Sequence, residues 1–540
     1  MSKEYLAIPR HPGQKEPDIT FVVVNGKSPG YQERIGRNIL GTSSALGLVG
    51  SEIARIVDNM QLRDSIDVQI VDENRPRQKI DFTKRIIVLP SSFSVNAERT
   101  GEIIRECNRR DIPVMVGGIH ASISVNTDYP IVDFAGLGAE VYVGEAANSK
   151  SFKGRIEHIL KTGEFDKGKY TFCESFDEKT KEHIPGAGID LADLPVDTKV
   201  HKQIDQNSMM YFVVPNMGCP WDCNFCSATF ICGPEIRTRP PEDILKEVFL
   251  RDLPKSGFFL AADNILADEG EAYKLFELFA RELYTPVGWT SETTLEALRK
   301  GGKDLMKLLA AAGCQKMWVG MESPDPKVLR AYHKLQNIRY CNPDNVKEIT
   351  DMAHEEGIKV CAFYMAGSPA ETPESIRMIP PHAKTSGFDE VNLNYFMLFP
   401  GTKLTNQMIK DGTYNPADEN GHTDGFDFKT RAKFNYPMGN DVLEREYKRA
   451  CKQMYSPREV YRRSSEAYKR AKKLGWPEKK FGSSFGSGFG FADMHMGGYA
   501  LRAINAVLDP IQSIQEKTKE VFEESSAAIG QAEIFDATKS

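Results

Sequence analysis

The stretch Asn216-Met217-Gly218-Cys219-Pro220-Trp221-Asp222-Cys223-Asn224-Phe225-Cys226 decides what kind of domain surrounds it. It follows an apolar run of strand length, Tyr211 to Pro215, and the glycine and proline beside its first cysteine make it a loop. Three thiolates this close on one loop can converge on a small metal centre, and soft thiolates select zinc or an iron–sulfur cluster. A structural zinc site wants a fourth cysteine or histidine nearby. Cys232 is the only close candidate, and its separation from Cys226 fits no zinc spacing. A triad without its fourth ligand would leave one iron of a four-iron cluster open.

Downstream, strand-length runs alternate with helical segments. Gly257 to Ala261, Pro286 to Ser291, Lys316 to Met321, Lys359 to Met365 and Glu390 to Leu398 are separated by stretches such as Glu242 to Arg251, Glu271 to Leu283 and Pro343 to Glu356. With Tyr211 to Pro215 they make six βα units, too few for a closed eight-fold barrel. Residues 208–425 are therefore expected to form a (βα)6 partial TIM barrel.

Upstream, residues 16–150 carry a second alternating series: Thr20 to Asn25, Val68 to Asp72, Arg85 to Leu89, Val114 to Gly117 and Asp133 to Leu137, with a helix over Leu40 to Met60. That order predicts an α/β domain with a doubly wound parallel sheet, flavodoxin-like or Rossmann-like, whose ligand sits beyond the carboxyl ends of the strands. Residues 151–207 are polar and are expected to be a linker with little core of its own. Over residues 426–540 the strand signal ends, Val442 to Leu474 is basic with a helical pattern, and a mainly helical C-terminal region is expected. Within it, Phe481 to Phe491 is rich in glycine and serine and reads as a loop whose rings pack locally.

The 540 residues carry a net charge of −6 with acids and bases interspersed, so nothing in the balance argues for the basic surface of a nucleic-acid protein, and no nucleic-acid partner is expected. No secretory leader pattern follows Met1, and the apolar runs are far shorter than the roughly 20 residues of a transmembrane helix. Ten cysteines, seven of them scattered, fit a reducing compartment, and a cytoplasmic protein is expected.

The cysteine loop resembles the signature of the radical S-adenosylmethionine superfamily, a CxxxCxxC triad with an aromatic residue, here Phe225, before the last cysteine. The resemblance continues along residues 208–405: Ala262-Asp263-Asn264, Ser291-Glu292, Gly320-Met321-Glu322-Ser323, Gly367-Ser368-Pro369-Ala370-Glu371-Thr372 and Phe399-Pro400-Gly401-Thr402 each follow a predicted strand, in the family's order. It implies that Cys219, Cys223 and Cys226 hold a 4Fe-4S cluster, and that Phe225, Asp263, Ser291 and Glu322 lie at S-adenosylmethionine. It further implies a 5′-deoxyadenosyl radical as the reactive species, and a one-electron donor such as flavodoxin or ferredoxin as partner.

The end of the first predicted strand, Asn25-Gly26-Lys27-Ser28-Pro29-Gly30, has the spacing of neither a dinucleotide fingerprint nor a phosphate loop. Instead, Leu89-Pro90-Ser91-Ser92, Val116-Gly117-Gly118-Ile119-His120-Ala121 and the region from Gly136 to Glu145 resemble the cobalamin-binding domain that precedes many radical barrels. Ser91, Gly117, Gly118, His120 and Gly144 are the residues this places at cobalamin. No histidine stands in an Asp-x-His-x-x-Gly run, so a cobalt ligated from below by protein histidine is not expected. A methylthiotransferase front domain would supply three cysteines, whereas this one has only Cys107. The resemblance implies methyl transfer to an unactivated carbon of a small molecule. A cobalamin-dependent oxidative cyclase and a non-catalytic cobalamin or redox sensor are the alternatives.

Overall fold

The computed structural model describes residues 19–27, 44–415 and 436–473, apart from 76–77, 94–95, 128–130, 185, 206–210, 254–256 and 286–287. The Phe481 to Phe491 stretch and most of the expected C-terminal region lie outside the described residues.

The front unit starts with β1 (Ile19–Asn25), a run of β-branched and aromatic residues buried on both faces, as a parallel strand covered by helices must be. It pairs in parallel with β2 (Ile66–Asp72) on one side and β3 (Ile86–Pro90) on the other, while helix α1 (Ser44–Asn59) crosses between β1 and β2. Helix α2 (Ala97–Arg109) leads to β4 (Met115–Val116), and the short α3 (Ile119–Ser124) leads to β5 (Glu140–Val143). Bridges Val88–Val114 and Ser91–Gly117 join β3 to β4, so the strand order runs 2-1-3-4-5 as in flavodoxin-like sheets.

Two expectations are corrected here. Asp133 to Leu137 is a turn, because the Asp133 carboxylate accepts the Gly136 amide at 2.8 Å and Leu137 N–H closes on Asp133 C=O; the fifth strand begins three residues later. Residues 151–207 are also more than a linker. Helix α4 (Lys150–Thr162), strand β6 (Tyr170–Phe172), which pairs with β5, and helix α5 (Thr198–Asp205), which packs on α1 and β2, extend the front unit. Phe152, Ile156, Ile159, Leu160, Val200 and Ile204 join its core. Their apolar positions are dispersed among lysines and acids, which hid them from a reading by composition.

The second unit is a six-stranded parallel sheet in the order 14-13-12-11-10-7. Its strands are β7 (Phe212–Val213), β10 (Phe258–Leu260), β11 (Trp289–Thr293), β12 (Cys314–Glu322), β13 (Lys359–Ala366) and β14 (Glu390–Tyr395), and the small pair β8 (Asn216–Met217) and β9 (Arg237–Thr238) flanks the cysteine loop. Helix α6 (Ala228–Cys232) follows that loop; α7 (Pro241–Leu250), α8 (Glu269–Glu282), α9 (Leu295–Ala311), α10 (Pro326–Ala331), α11 (Pro343–Glu355), α12 (Pro373–Thr385) and α13 (Lys403–Lys410) complete the units. Caps fix where helices start: Asp268, Thr294 and Thr372 each accept an amide in the first turn, the last in a reciprocal capping box. Helices α14 (Asn440–Met454) and α15 (Pro457–Lys473) follow, and the hydroxyls of Tyr447 and Tyr455 bond the C=O and N–H of Leu393 on edge strand β14, each at 2.9 Å.

The units meet closely. Gly401, at φ +80°, lies where a Cβ would stand 2.5 Å from the Ile123 carbonyl of α3. Arg237 of β9 forms a bidentate pair with Glu145 at the end of β5, at 2.7 and 2.8 Å, and also donates to the Ile189 and Cys232 carbonyls. No helix among the described residues is long and apolar enough to cross a membrane.

Candidate active site

A cavity of about 730 Å³ lies between the carboxyl ends of the two sheets. Ser91, Gly117, Gly118 and Gly144 line its front wall, and Cys226, Asp263 and Glu292 line the opposite one. Leu48, Leu191, Leu194, Val214 and Ile231 make much of the remainder apolar. The size lies within the range of small-molecule and cofactor sites, about 300–1,000 Å³.

The front wall is built from missing side chains. Gly118, at φ +98°, and Gly144, at φ +101°, take conformations costly for other residues, and a Cβ on Gly118 would lie 2.8 Å from the Ser92 backbone. Gly117 differs. A Cβ there meets nothing nearer than 3.8 Å, so the protein itself tolerates a side chain and the open space is the cavity's. His120 does not line this wall: it is fully buried, its Nε2 lies 3.2 Å from the Ser124 hydroxyl, and its ring packs edge-on against Phe134. The helical turn of α3 points it into the core, which corrects its expected place at the ligand.

The cysteine loop is pinned from both sides. Gly218 N–H donates to the Asp263 carboxylate at 2.8 Å, and Cys219 N–H donates to Gly233 C=O at 3.2 Å. On the other flank the Asn224 side chain and amide donate to the carbonyls of Ala331 and Tyr332, at 2.8 and 3.2 Å, and the Phe225 ring meets Tyr332 edge-on. Cys226 faces the cavity, whereas Cys223 is turned toward Gln336, whose Nε2 is 4.0 Å from its sulfur. Burial pushes all three thiols up, that of Cys226 to about 12, although its surface opens onto the cavity. A group that binds thiolates must therefore displace their protons. Among the described residues no three histidines, cysteines or carboxylates close on a single-ion site. Three soft donors on one loop fit an iron–sulfur cluster.

Four ionisable groups stand beside the loop. A register shift between Gly320 and Glu322 and a left-handed φ of +64° at Glu322 aim its carboxylate at Lys334, 2.6 Å away and buried with it. Gly320 lies beneath this pair, and a Cβ there would stand 2.7 Å from the Lys334 ammonium and nearer still to the Glu322 carboxylate, so both side chains would have to shift. Burial holds the Asp263 carboxyl above its ordinary value, against the bonds from Gly218 and the Cys232 thiol. Burial, then Asp263 and Glu322, push the Glu292 carboxyl up to about 7. That carboxyl has no hydrogen-bond partner among the described residues.

Ser291 is corrected. It is fully buried and donates to the Leu260 carbonyl at 2.7 Å, so it ties two strands and does not line the cavity. Side chains alternate along a strand, and apolar Trp289 sharing the face of Ser291 was the signal that Glu292 points the other way. Nothing in the sequence announced Lys334 or Arg237.

Residues 213–379 match the family model of the radical SAM superfamily, so the chain carries a radical SAM domain, the class that the partial barrel and its cysteine loop already define. Such a domain implies a 4Fe-4S cluster and S-adenosylmethionine. The chain is similar to the hopanoid C-2 methylase of Rhodopseudomonas palustris, 24% identical over 65% of this chain and 63% of that protein, so the match spans less than two thirds of that relative. It is also similar to the bacteriochlorophyllide d C-12(1)-methyltransferase of Chlorobaculum tepidum, 21% identical over 63% and 70%. Among solved structures, the radical S-adenosylmethionine methyltransferase TsrM from Kitasatospora setae, with cobalamin and a [4Fe-4S] cluster bound, superposes with a TM-score of 0.54 at 16% identity, over 73% of this chain and 78% of that one. The cobalamin-dependent radical enzyme OxsB gives 0.52 at 12%, over 88% and 72%. Both share the two-unit fold.

Proposed function

We propose that the protein is a cobalamin-dependent radical S-adenosylmethionine enzyme that transfers a methyl group to an unactivated carbon of a small molecule. One observation carries this reading: a single cavity is walled on one side by Ser91, Gly117, Gly118 and Gly144 and on the other by Cys226 and Asp263. A flat ring needs a wall with few side chains, and among the described residues no histidine lines the cavity, in keeping with cobalamin held without a protein histidine on cobalt. The names of the methylase relatives, and the cobalamin bound in TsrM and OxsB, support the same assignment.

When bound, the cluster, S-adenosylmethionine and cobalamin supply the adenosyl radical and the methyl group; the chain's own residues bind, orient and exclude water. Cys219, Cys223 and Cys226 would hold the cluster. Asp263 fixes their loop through Gly218, Phe225 seats it on Tyr332, and Glu322 with Lys334 offers a preset ion pair at the cosubstrate's place. Apolar walls keep water from a reactive intermediate. A one-electron donor and a cytoplasmic, reducing setting belong to the proposal.

The test is anaerobic reconstitution with iron, sulfide and hydroxocobalamin, followed by turnover with methyl-labelled S-adenosylmethionine on candidate substrates. Label in the product supports methyl transfer. Product lacking one or more hydrogens and carrying no label would mark an oxidative cyclase instead.

A further inference from the structure

The cluster loop has two faces, and only one belongs to the cavity. Cys226 looks into it, while Cys223 faces the outer segment 331–336 through the Gln336 side chain, 4.0 Å from its sulfur. That segment is clasped to the loop by the Asn224 hydrogen bonds to Ala331 and Tyr332. Its outer surface carries Leu335, which is 61% exposed. Around it the exposed charges are mostly positive. Lys327 and Arg330 on α10 have no carboxylate partner among the described residues. Lys403 pairs with Asp222, and His333 lies 4.0 Å from the same carboxylate. Three cations and a histidine thus outnumber the carboxylates beside them, Asp222, which takes Lys403 and His333, and Asp325, which caps α10.

We propose that this face, centred on Leu335 and rimmed by Lys327, Arg330, His333 and Lys403, docks the small acidic protein that delivers electrons to the cluster, with entry at Cys223. The inference rests on the reading of the three cysteines as cluster ligands. An apolar centre with a charged rim is the anatomy of a transient interface, and a cationic rim selects and steers an acidic partner. The chemistry balances as a one-electron transfer: the partner's flavin or iron–sulfur centre is oxidised by one electron and the cluster is reduced by one, with no bond made or broken. The substrate cavity lies on the other face of the loop, so reductant and substrate need not compete.

The experiment uses the reconstituted full chain and an acidic flavodoxin in its hydroquinone form, with dithionite as the small-molecule control. Cluster reduction is followed by bleaching of its visible absorption in stopped flow. Leu335→Asp with Arg330→Glu is expected to slow reduction by flavodoxin about tenfold or more and to flatten its dependence on salt, the scale on which electrostatic steering acts. Reduction by dithionite, and the 5′-deoxyadenosine it yields, should stay within about twofold of the parent chain. The milder Leu335→Ser with Arg330→Ala should fall between the two. A double variant that flavodoxin reduces at the parent rate, with the parent salt dependence, overturns the docking face. A parent chain that holds no reducible cluster, or yields no 5′-deoxyadenosine with dithionite, overturns the cluster reading and leaves the docking face without a purpose.

Discussion

The two walls of the cavity are made in opposite ways. The barrel wall is crowded with groups that do chemistry: thiols, two carboxyls and, just behind them, a buried Lys334–Glu322 pair. The front wall is made mainly of glycine and apolar side chains, with Ser91, Ser122 and the Arg237-paired Glu145 among them, and much of its capacity to bind lies in what has been left out. The difference teaches that one cavity can hold a wall that fails when a group is removed and a wall that fails when a group is added.

The sharpest break of that comparison is on the barrel side. Cys219→Ala, Cys223→Ala or Cys226→Ala should abolish the reconstituted cluster, read as iron content and visible absorption. Cys232→Ala, which removes only a thiol bonded to Asp263, should keep the iron. Iron retained after loss of any one of the three would undo the ligand assignment.

On the front side the effect should come from addition. Gly117→Leu should stop hydroxocobalamin uptake while leaving the cluster intact, since the first atom of the new side chain meets nothing within 3.8 Å and the rest must enter the cavity. Normal uptake by that variant would move the ring elsewhere.

Glu322→Ala should lower 5′-deoxyadenosine formation by up to about 100-fold through mispositioning. It should also destabilise the fold by roughly 3–5 kcal/mol, because Lys334 would remain buried without its partner. Glu322→Gln separates the two effects: a stable variant that still cleaves poorly indicates positioning, and one that cleaves normally assigns Glu322 to structure alone.

Glu292 gives a pH-dependent test. Its carboxyl is pushed up to about 7 from 4.5, so the folded chain holds a proton that the unfolded chain releases first, and stability falls as pH rises between those values. Glu292→Gln should therefore match the parent near pH 4 and be the more stable form above pH 7, by at most roughly 3 kcal/mol. Melting curves across that range check it, and parallel curves would count against the assignment. The smallest change belongs to His120→Ala. The bound cobalamin spectrum should not shift, because the ring is packed against Phe134 away from the cavity, though the melting temperature should drop.

How much of this was legible follows from the same contrast. Thiol spacing, carboxylates after strands and the β-branched runs are positive signals, and both sheets and the cluster loop were readable from them. Ser291 was misplaced because a motif names a dipeptide, while the pleat decides which of its two side chains faces the ligand. His120 was misplaced because one helical turn after Gly118 rotates the side chain into the core. Residues 151–207 were taken for a connector because α4 and α5 bury only one stripe each, and composition averages that stripe away. Lys334 pairs across a bulge and Arg237 across the two units, and no local pattern records either.

The tyrosine pair on β14 has a further consequence. A partial barrel, unlike a closed one, leaves an outermost strand whose free amides and carbonyls invite another chain to add to it and seed aggregates. Tyr447 and Tyr455 occupy the Leu393 amide and carbonyl with side-chain hydroxyls, so α14 and its end stand guard where an eight-fold barrel would have its next strand. Shortening the chain before α14 would thus cost solubility first and chemistry only afterwards.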